Sequence, residues 1–144
     1  PTVSSLRTDF VNDAATTEGF EQVHWNDTQT VDVVTLDAVM AQYGVPRYIK
    51  IDVEGFEEEV LAGVSHPVEL ISAEFLPGFP HWSFAVIDRL DQLGEYEFNP
   101  VVGESGQFAW DQWSDARGAR AWLQSLPDSH PSGDLFARLL TASG

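Results

Sequence analysis

The stretch "YIKIDVEGFEEEVLAGV", residues 48–64, constrains the fold most, because a strand pattern passes directly into a helix pattern there. Its first half is rich in β-branched and aromatic side chains, which is typical of a buried strand. Gly55 interrupts that strand, and the apolar side chains of Phe56 and Val60 then recur at helical spacing. The stretch also contains Lys50, the only lysine of a chain whose formal net charge is -16.

Strand and helix patterns alternate along the rest of the chain. The predicted order is a strand at 31–35, a helix beginning after Thr35, the strand "RYIKIDV", a helix at 56–64, the strand "VELISAEF", a helix at 83–93, a hairpin of "EYEFNPVV" and "GQFAWDQW" joined by residues 103–106, and a last helix at 115–126. This alternation predicts an α/β fold, a parallel sheet covered on both faces with an antiparallel hairpin at its edge. Residues 1–30 are predicted to form an irregular segment, and 31–144 a partial domain.

Ionisable side chains follow two of the predicted strands where each strand ends. Asp52 and Glu54 close the first of these strands, Glu74 closes the next, and His81 follows in the loop. Right-handed crossovers place the carboxyl ends of parallel strands side by side, and ligands of open α/β sheets bind there. Because strand side chains alternate, Lys50 is expected on the same face as the two acidic residues. The pattern therefore predicts a polar site at this rim.

A purely structural interpretation of these residues stays open at this point. An ion pair of Lys50 with Asp52 or with Glu74 would satisfy the charges without any ligand. Glu74 alone is also typical of a helix-cap acceptor, and His81 of a structural loop histidine. The D-x-E pair with a further carboxylate suits a hard cation such as Mg²⁺. No histidine or cysteine spacing indicates zinc, and no metal site is predicted.

Composition excludes several function classes. The 23 acidic residues against 7 basic ones argue against a nucleic-acid surface and against docking on anionic lipid. The absence of cysteine excludes disulfides, thiolate metal sites and cysteine nucleophiles. The sequence shows neither a membrane-spanning apolar run nor a signal-peptide core, so we expect a soluble, cytoplasmic protein.

A long motif in this chain resembles a known family. The stretch "VDVVTLDAVMAQYGVPRYIKIDVEGFEEEVLAGV" is similar to the signature region of the FkbM-type methyltransferases, in which "TLD" begins a helix and "KIDVEG-x-E-x-x-VL-x-G" follows. The matching positions are Thr35–Asp37, Lys50–Gly55, Glu57, Val60, Leu61 and Gly63. "LISAEF", "LGEYEFNP" and the closing "GDLFARL" also look like later parts of the family. The lone lysine belongs to this motif.

The resemblance implies a doubly wound, Rossmann-like class I methyltransferase fold that uses S-adenosylmethionine. The implied reaction is methylation of a hydroxyl on a sugar, a glycolipid or a polyketide-like small molecule. Asp52 and Val53 would contact the cofactor, and Asp52 or Glu54 would take the proton of the acceptor, with His81 behind them. Lys50 would orient a carboxylate or stabilise developing negative charge, with Glu74 close by.

One part of the family pattern is absent from the sequence. No strand followed by a Gly-rich, cofactor-binding turn precedes "TLD", so the resemblance is to the carboxyl-terminal portion of such a domain. The sequence leaves two functions open, an O-methyltransferase or its carboxyl-terminal half, and an inactive fragment or binding module that keeps part of the fold. Without preceding strands, "YIKIDV" would be an exposed apolar edge. We therefore expect a homo-oligomer that covers this edge, with a small hydroxyl acceptor as the other partner.

Overall fold

The computed structural model describes residues 30–140 of the chain. Four helices are present in this part, α1 (Leu36–Tyr43), α2 (Glu57–Ala62), α3 (Pro80–Leu93) and α4 (Ala116–Ser125). Four strands accompany them, β1 (Tyr48–Ile51), β2 (Leu70–Phe75), β3 (Tyr96–Val102) and β4 (Gly133–Leu139). The irregular segment predicted for residues 1–30 lies outside the described residues, except for its last residue.

The strands form one mixed sheet in the order β1-β2-β4-β3. β1 and β2 pair in parallel, whereas β4 runs antiparallel to both of its neighbours, β2 and β3. β1, β2 and β3 therefore run in one direction. β4 lies between β2 and β3 and runs in the opposite direction. This arrangement is an α/β fold compatible with a methyltransferase-like fold, and it places the carboxyl ends of β1 and β2 side by side as the sequence predicted.

The hydrophobic core lies between one face of this sheet and the helices. Alternate strand residues such as Ile71, Phe75 and Leu135 are buried there, against Ile87 of α3 and Leu123 of α4. α3 packs on β2, α4 packs on β3, and α2 packs on α3. In the described residues, helices therefore cover one face of the sheet, and the prediction of helices on both faces is wrong for this part of the chain.

The other face of the sheet carries polar and aromatic side chains. Tyr48 and Lys50 of β1 lie on it, and so do Ser72 of β2 and Phe136 of β4. The Tyr48 ring is 43% exposed, although its hydroxyl lies 2.8 Å from the Ser72 hydroxyl. We call this surface the open face of the sheet.

Two predicted strands are absent from the described residues. The segment 31–35 is not a strand: Val33 is 72% exposed, and among residues 30–140 no strand pairs with it. The segment 106–113 returns beside β3 as predicted, but it joins β3 only through isolated bridges, at Phe108 and at the adjacent Ser114. The antiparallel partner of β3 is instead β4, from the closing "GDLFARL".

The helix predictions are confirmed, with shifted ends. Thr35 caps α1 by accepting from the Ala38 N–H at 3.2 Å, as predicted, and Gly44 ends that helix. α3 begins three residues earlier than expected, since Pro80 occupies its first turn, where a missing N–H costs nothing. Within residues 30–140, none of the helices has the length and apolar character needed to cross a bilayer.

Candidate active site at the carboxyl ends of the parallel strands

The parallel pairing of β1 with β2 brings the predicted acidic residues together. Ile51 pairs with Ala73, so the residues that follow these two positions emerge at the same rim. Carboxylate oxygens of Asp52, Glu54 and Glu74 all lie within 4.8 Å of one another. We call these three residues the carboxylate cluster. Three negative groups so close together repel one another unless a proton, a cation or a ligand compensates them.

Among the described residues, Lys50 supplies a positive charge beside this cluster. Its ammonium donates to Asp134 Oδ2 at 3.1 Å and lies 3.5 Å from Asp52 Oδ2. The predicted ion pair with Asp52 is therefore confirmed, whereas the other partner of Lys50 in the described residues is Asp134 and not Glu74. The hydrogen bond to Asp134 is the main reason that the pKa of Lys50 lies above its usual value.

A tight turn after β1 holds Glu54 in the cluster. Glu54 and Gly55 both adopt positive φ, 52° and 89°, a backbone region that glycine tolerates and glutamate rarely occupies. The Glu57 side chain, only 4% exposed, accepts from the Val53 N–H at 3.3 Å and the Gly55 N–H at 3.2 Å. Glu57 therefore fixes the turn from its inner side.

The electrostatics of the cluster favour a proton on Glu74. Burial, followed by the charges of Glu54, Asp52, Glu57 and Asp134, raises the pKa of Glu74 to about 8. Glu74 is therefore mostly protonated at neutral pH and can donate a hydrogen bond. Burial also raises the pKa of Glu54, with the neighbouring charge of Asp52 as the second cause. Such shifts are common where carboxylates serve catalysis, although structural networks also produce them.

Two further predicted residues, Val53 and His81, are not members of the cluster. Val53 is half-buried against the core, and its N–H is held by Glu57. His81 lies in the first turn of α3, where its ring is 6.2 Å from the Phe79 ring and 5.2 Å from the Trp82 ring, measured between centroids. In the described part of the chain, no hydrogen bond or ion pair joins His81 to the carboxylates.

Asp134 and Glu57 were missed by the sequence interpretation. Asp134 pairs in register with Glu74 on the neighbouring antiparallel strand, which brings it beside Lys50. The pattern of "GDLFARL" indicates a strand, but it does not specify pairing with β2, so it could not place Asp134 at the rim. For Glu57, the signal was weaker: it is a charged residue two positions after a glycine, and first-turn glutamates are usually explained by the helix dipole.

The cluster can act in three chemical ways. Its oxygens can coordinate a hard divalent cation, because three carboxylates at this spacing resemble the ligand sets of Mg²⁺ and Ca²⁺. They can attract a cationic organic group, and an ionised member can accept a proton from a bound hydroxyl. The ammonium of Lys50 already compensates part of the negative charge, which lowers the need for a metal ion.

Comparison with known families identifies the family of the chain. A family model described as the methyltransferase FkbM domain matches residues 3–128. The chain belongs to the FkbM methyltransferase domain family. The match confirms the resemblance, and it begins 28 residues before the "VDVVTLD" motif region, whereas "GDLFARL" lies beyond its end. Searches of curated proteins and of solved structures find no significant match.

FkbM methyltransferases generally use S-adenosylmethionine, so membership gives the carboxylate cluster a chemical context. The family motif contains Lys50, Asp52 and Glu54, and β1 delivers all three to the rim that β2 shares.

Proposed function

We propose that this protein is an S-adenosylmethionine-dependent O-methyltransferase, or the carboxyl-terminal half of one. Its acceptor is a hydroxyl on a sugar, a glycolipid or a polyketide-like small molecule. The carboxylate cluster beside Lys50 carries this proposal, because it combines a negative surface with groups able to accept and donate a proton. Family membership supplies the reaction type.

The donor set fits the charged part of the cofactor. When bound, S-adenosylmethionine supplies an electrophilic methyl group on a positively charged sulfur. Asp52 is exposed at the end of β1, so its carboxylate is available to attract such a cation. Val53 adds a half-buried apolar surface directly after it. Asp52 and Val53 are the positions we assign to cofactor binding.

Proton removal from the acceptor is assigned to Glu54 or Asp52. Transfer of a methyl group to an alcohol forms an O–C bond, breaks the S–C bond and leaves a proton on the oxygen that must go to a base. The raised pKa of Glu54 makes it a stronger base than an ordinary carboxylate. The constrained turn that Glu57 fixes gives Glu54 a defined position, and a defined position is what an in-line displacement needs.

Glu74 and Lys50 support the reacting groups. Protonation of Glu74 removes one of the three negative charges of the cluster, which reduces the repulsion within it. Lys50 holds Asp52 in place from one side and stabilises negative charge that develops on the acceptor oxygen. His81 remains a secondary candidate for proton transfer.

A methyl-transfer assay tests this function. Labelled S-adenosylmethionine is incubated with sugar, glycolipid and polyketide-like alcohols, and label in the product is measured. Asp52→Asn and Glu54→Gln should each lower the rate about 10²- to 10⁴-fold, the usual contribution of a general base or a charge contact. Glu58→Gln, a change at an exposed carboxylate on α2, is the control and should keep full activity. Equal rates for all four proteins would refute the assignment.

We also propose that a second copy of the chain covers β1. In the described residues β1 is an outer strand of the sheet, with neighbours on one side only. Unpaired strand edges associate readily, and symmetric pairing of two copies is a common way to cover them. Tyr48 and Lys50 would then lie near the contact between the two copies.

A further inference from the structure

Aromatic rings form a row across the open face, immediately before the charged rim. The Tyr48 and Phe136 rings are stacked, with centroids 6.0 Å apart and an angle of 6° between their planes. Phe108 continues the row, edge-on to Phe136 at 5.4 Å and 5.0 Å from Trp113. Phe108 itself is 49% exposed. This row presents a flat apolar surface to solvent. The next side chain on the same face of β1 and of β4 is ionic.

A cavity of about 280 Å³ lies at the centre of this row. The Phe108 and Phe136 rings form its apolar wall, and the turn of residues 103–106 forms its rim. Glu104 and Asp134 add carboxylates to the same lining. The volume lies just below the range of small-molecule sites, about 300–1,000 Å³, and suits one ring rather than a large ligand.

Asp134 connects this cavity to the carboxylate cluster. It lines the cavity, accepts a hydrogen bond from Lys50, and lies in register with Glu74. A molecule whose reacting hydroxyl is at the cluster can therefore place its adjoining ring over Phe108 and Phe136. Asp134 is thus shared between the cavity lining and the ion pair with Lys50 that borders the cluster.

We infer that this cavity binds the ring of the methyl acceptor, and that it selects a neutral, hydroxylated ring against an anionic one. The inference rests on the proposed function. The C–H-bearing face of a sugar ring packs well on aromatic surfaces, while its hydroxyl groups donate to carboxylates. Glu104 and Asp134 offer such acceptors, and because the Lys50 ammonium compensates Asp134, Glu104 is the group that would repel a carboxylate- or phosphate-bearing ring. Phe108 and Glu104 are therefore specificity residues, one for the ring and one for its charge.

The test is a binding titration of the whole chain with two probes, methyl β-glucopyranoside and methyl β-glucuronopyranoside, monitored by NMR. We expect millimolar binding of the neutral glucoside and weaker binding of the uronate, by about tenfold. Phe108→Ala should weaken glucoside binding about two- to tenfold, the range of one aromatic contact, and Phe108→Tyr should restore it. Glu104→Gln should reduce the difference in affinity between the glucoside and the uronate.

The controls separate folding from binding. Phe108 is about half exposed, so its removal should leave the fold intact, which circular dichroism checks. Tyr43→Ala removes another exposed ring, 77% accessible at the end of α1, and should bind both probes as the wild type does. Absence of glucoside binding, unchanged affinity in Phe108→Ala, or equal binding of the two probes would each overturn the inference.

The same samples distinguish this inference from the proposed function. S-adenosylmethionine is titrated in parallel, because Phe108 lies outside the carboxylate cluster and its replacement should not affect the cofactor. If the cofactor binds and the glucoside does not, only the inference about the cavity fails. If glucoside binding depends on Phe108 and the cofactor does not bind, the methyltransferase proposal fails instead.

Discussion

Lys50 and Asp134 are separated by 84 positions in the sequence, yet the ammonium nitrogen lies 3.1 Å from the Asp134 carboxylate. The contact reaches from β1 across β2 to β4, because β4 is inserted next to β2. Lys50 also lies 3.5 Å from Asp52. The only lysine of the chain therefore forms ion pairs with one carboxylate on β4 and one that directly follows β1.

Replacing Lys50 should affect activity more than stability. The side chain is 48% exposed, and ion pairs of that kind contribute at most about 1 kcal/mol to folding. Lys50→Met should therefore lower the free energy of unfolding by less than about 1 kcal/mol, but reduce methyl transfer about 10²-fold by removing a preorganised positive charge. Chemical denaturation and kcat/KM measure the two effects.

The matched control for Lys50 is Arg47→Met. Arg47 forms an exposed ion pair with Glu69, just before β1 and away from the cluster. Its replacement should leave kcat/KM unchanged. A Lys50→Met protein with normal activity would show that Lys50 only satisfies the local charges.

Glu74 should make stability depend on pH in a predictable direction. Its pKa is about 8 in the folded chain and close to the ordinary value of 4.5 when unfolded. Between these values the folded state holds the proton more tightly, so the contribution is fully present below pH 4.5 and is lost as pH rises through 8. Glu74→Gln should abolish this loss, with a gain on the order of 1–2 kcal/mol at high pH after allowance for solvent screening.

Denaturation of the wild type and of Glu74→Gln over a range of pH measures this difference. Glu69→Gln is the control, because Glu69 should make stability depend on pH in the opposite direction. The hydrogen bond from Arg47 lowers the pKa of Glu69. Its stabilising contribution is present above the ordinary pKa and is lost only as pH falls below that value. A constant difference between the wild type and Glu74→Gln at every pH would contradict the shift.

Glu57 should stabilise the turn that carries Glu54. Glu57→Ala leaves the N–H groups of Val53 and Gly55 without their acceptor in a buried place, which costs about 1–3 kcal/mol. Glu57→Gln keeps a carbonyl acceptor and should cost less. Glu58→Ala, at the exposed neighbour, should change stability by no more than about 0.5 kcal/mol. Hydrogen exchange of the Gly55 amide should accelerate in Glu57→Ala and, to a smaller extent, in Glu57→Gln. It should not change in Glu58→Ala.

The homodimer proposal has a direct test in the molecular mass in solution. Light scattering after size-exclusion chromatography should give twice the chain mass of 15.9 kDa at micromolar concentration. A single species at the mass of one chain, across a range of concentrations, would rule out pairing of β1 with a second copy.

Local sequence patterns predicted the strands and helices around the rim. The strand positions that they missed depend on pairing between distant parts of the chain. Thr35 as a helix cap and the strand "YIKI" depend on neighbouring residues, so the sequence was sufficient for both. Which strand lies next to β2 depends on packing across the whole sheet, and no short pattern in "GDLFARL" specifies that position. The hairpin prediction failed for this reason, and Asp134 was missed with it.

The same distinction applies to the individual site residues. Strand order and parallel pairing were enough to bring Asp52, Glu54 and Glu74 together. The inward orientation of Glu57 depends on the positive φ of Glu54 and Gly55, which turns the chain back over the helix start. Backbone conformation of this kind cannot be deduced from side-chain periodicity alone.

The most direct test of the proposed function is a calorimetric titration of S-adenosylmethionine into the wild-type chain and into Asp52→Asn. We predict micromolar binding to the wild type, about -8 kcal/mol, and a clear loss of affinity in the variant. Glu58→Gln should bind as the wild type does. Absence of binding to the wild type, or equal binding to Asp52→Asn, would contradict the assignment of the carboxylate cluster as the methyl-transfer site.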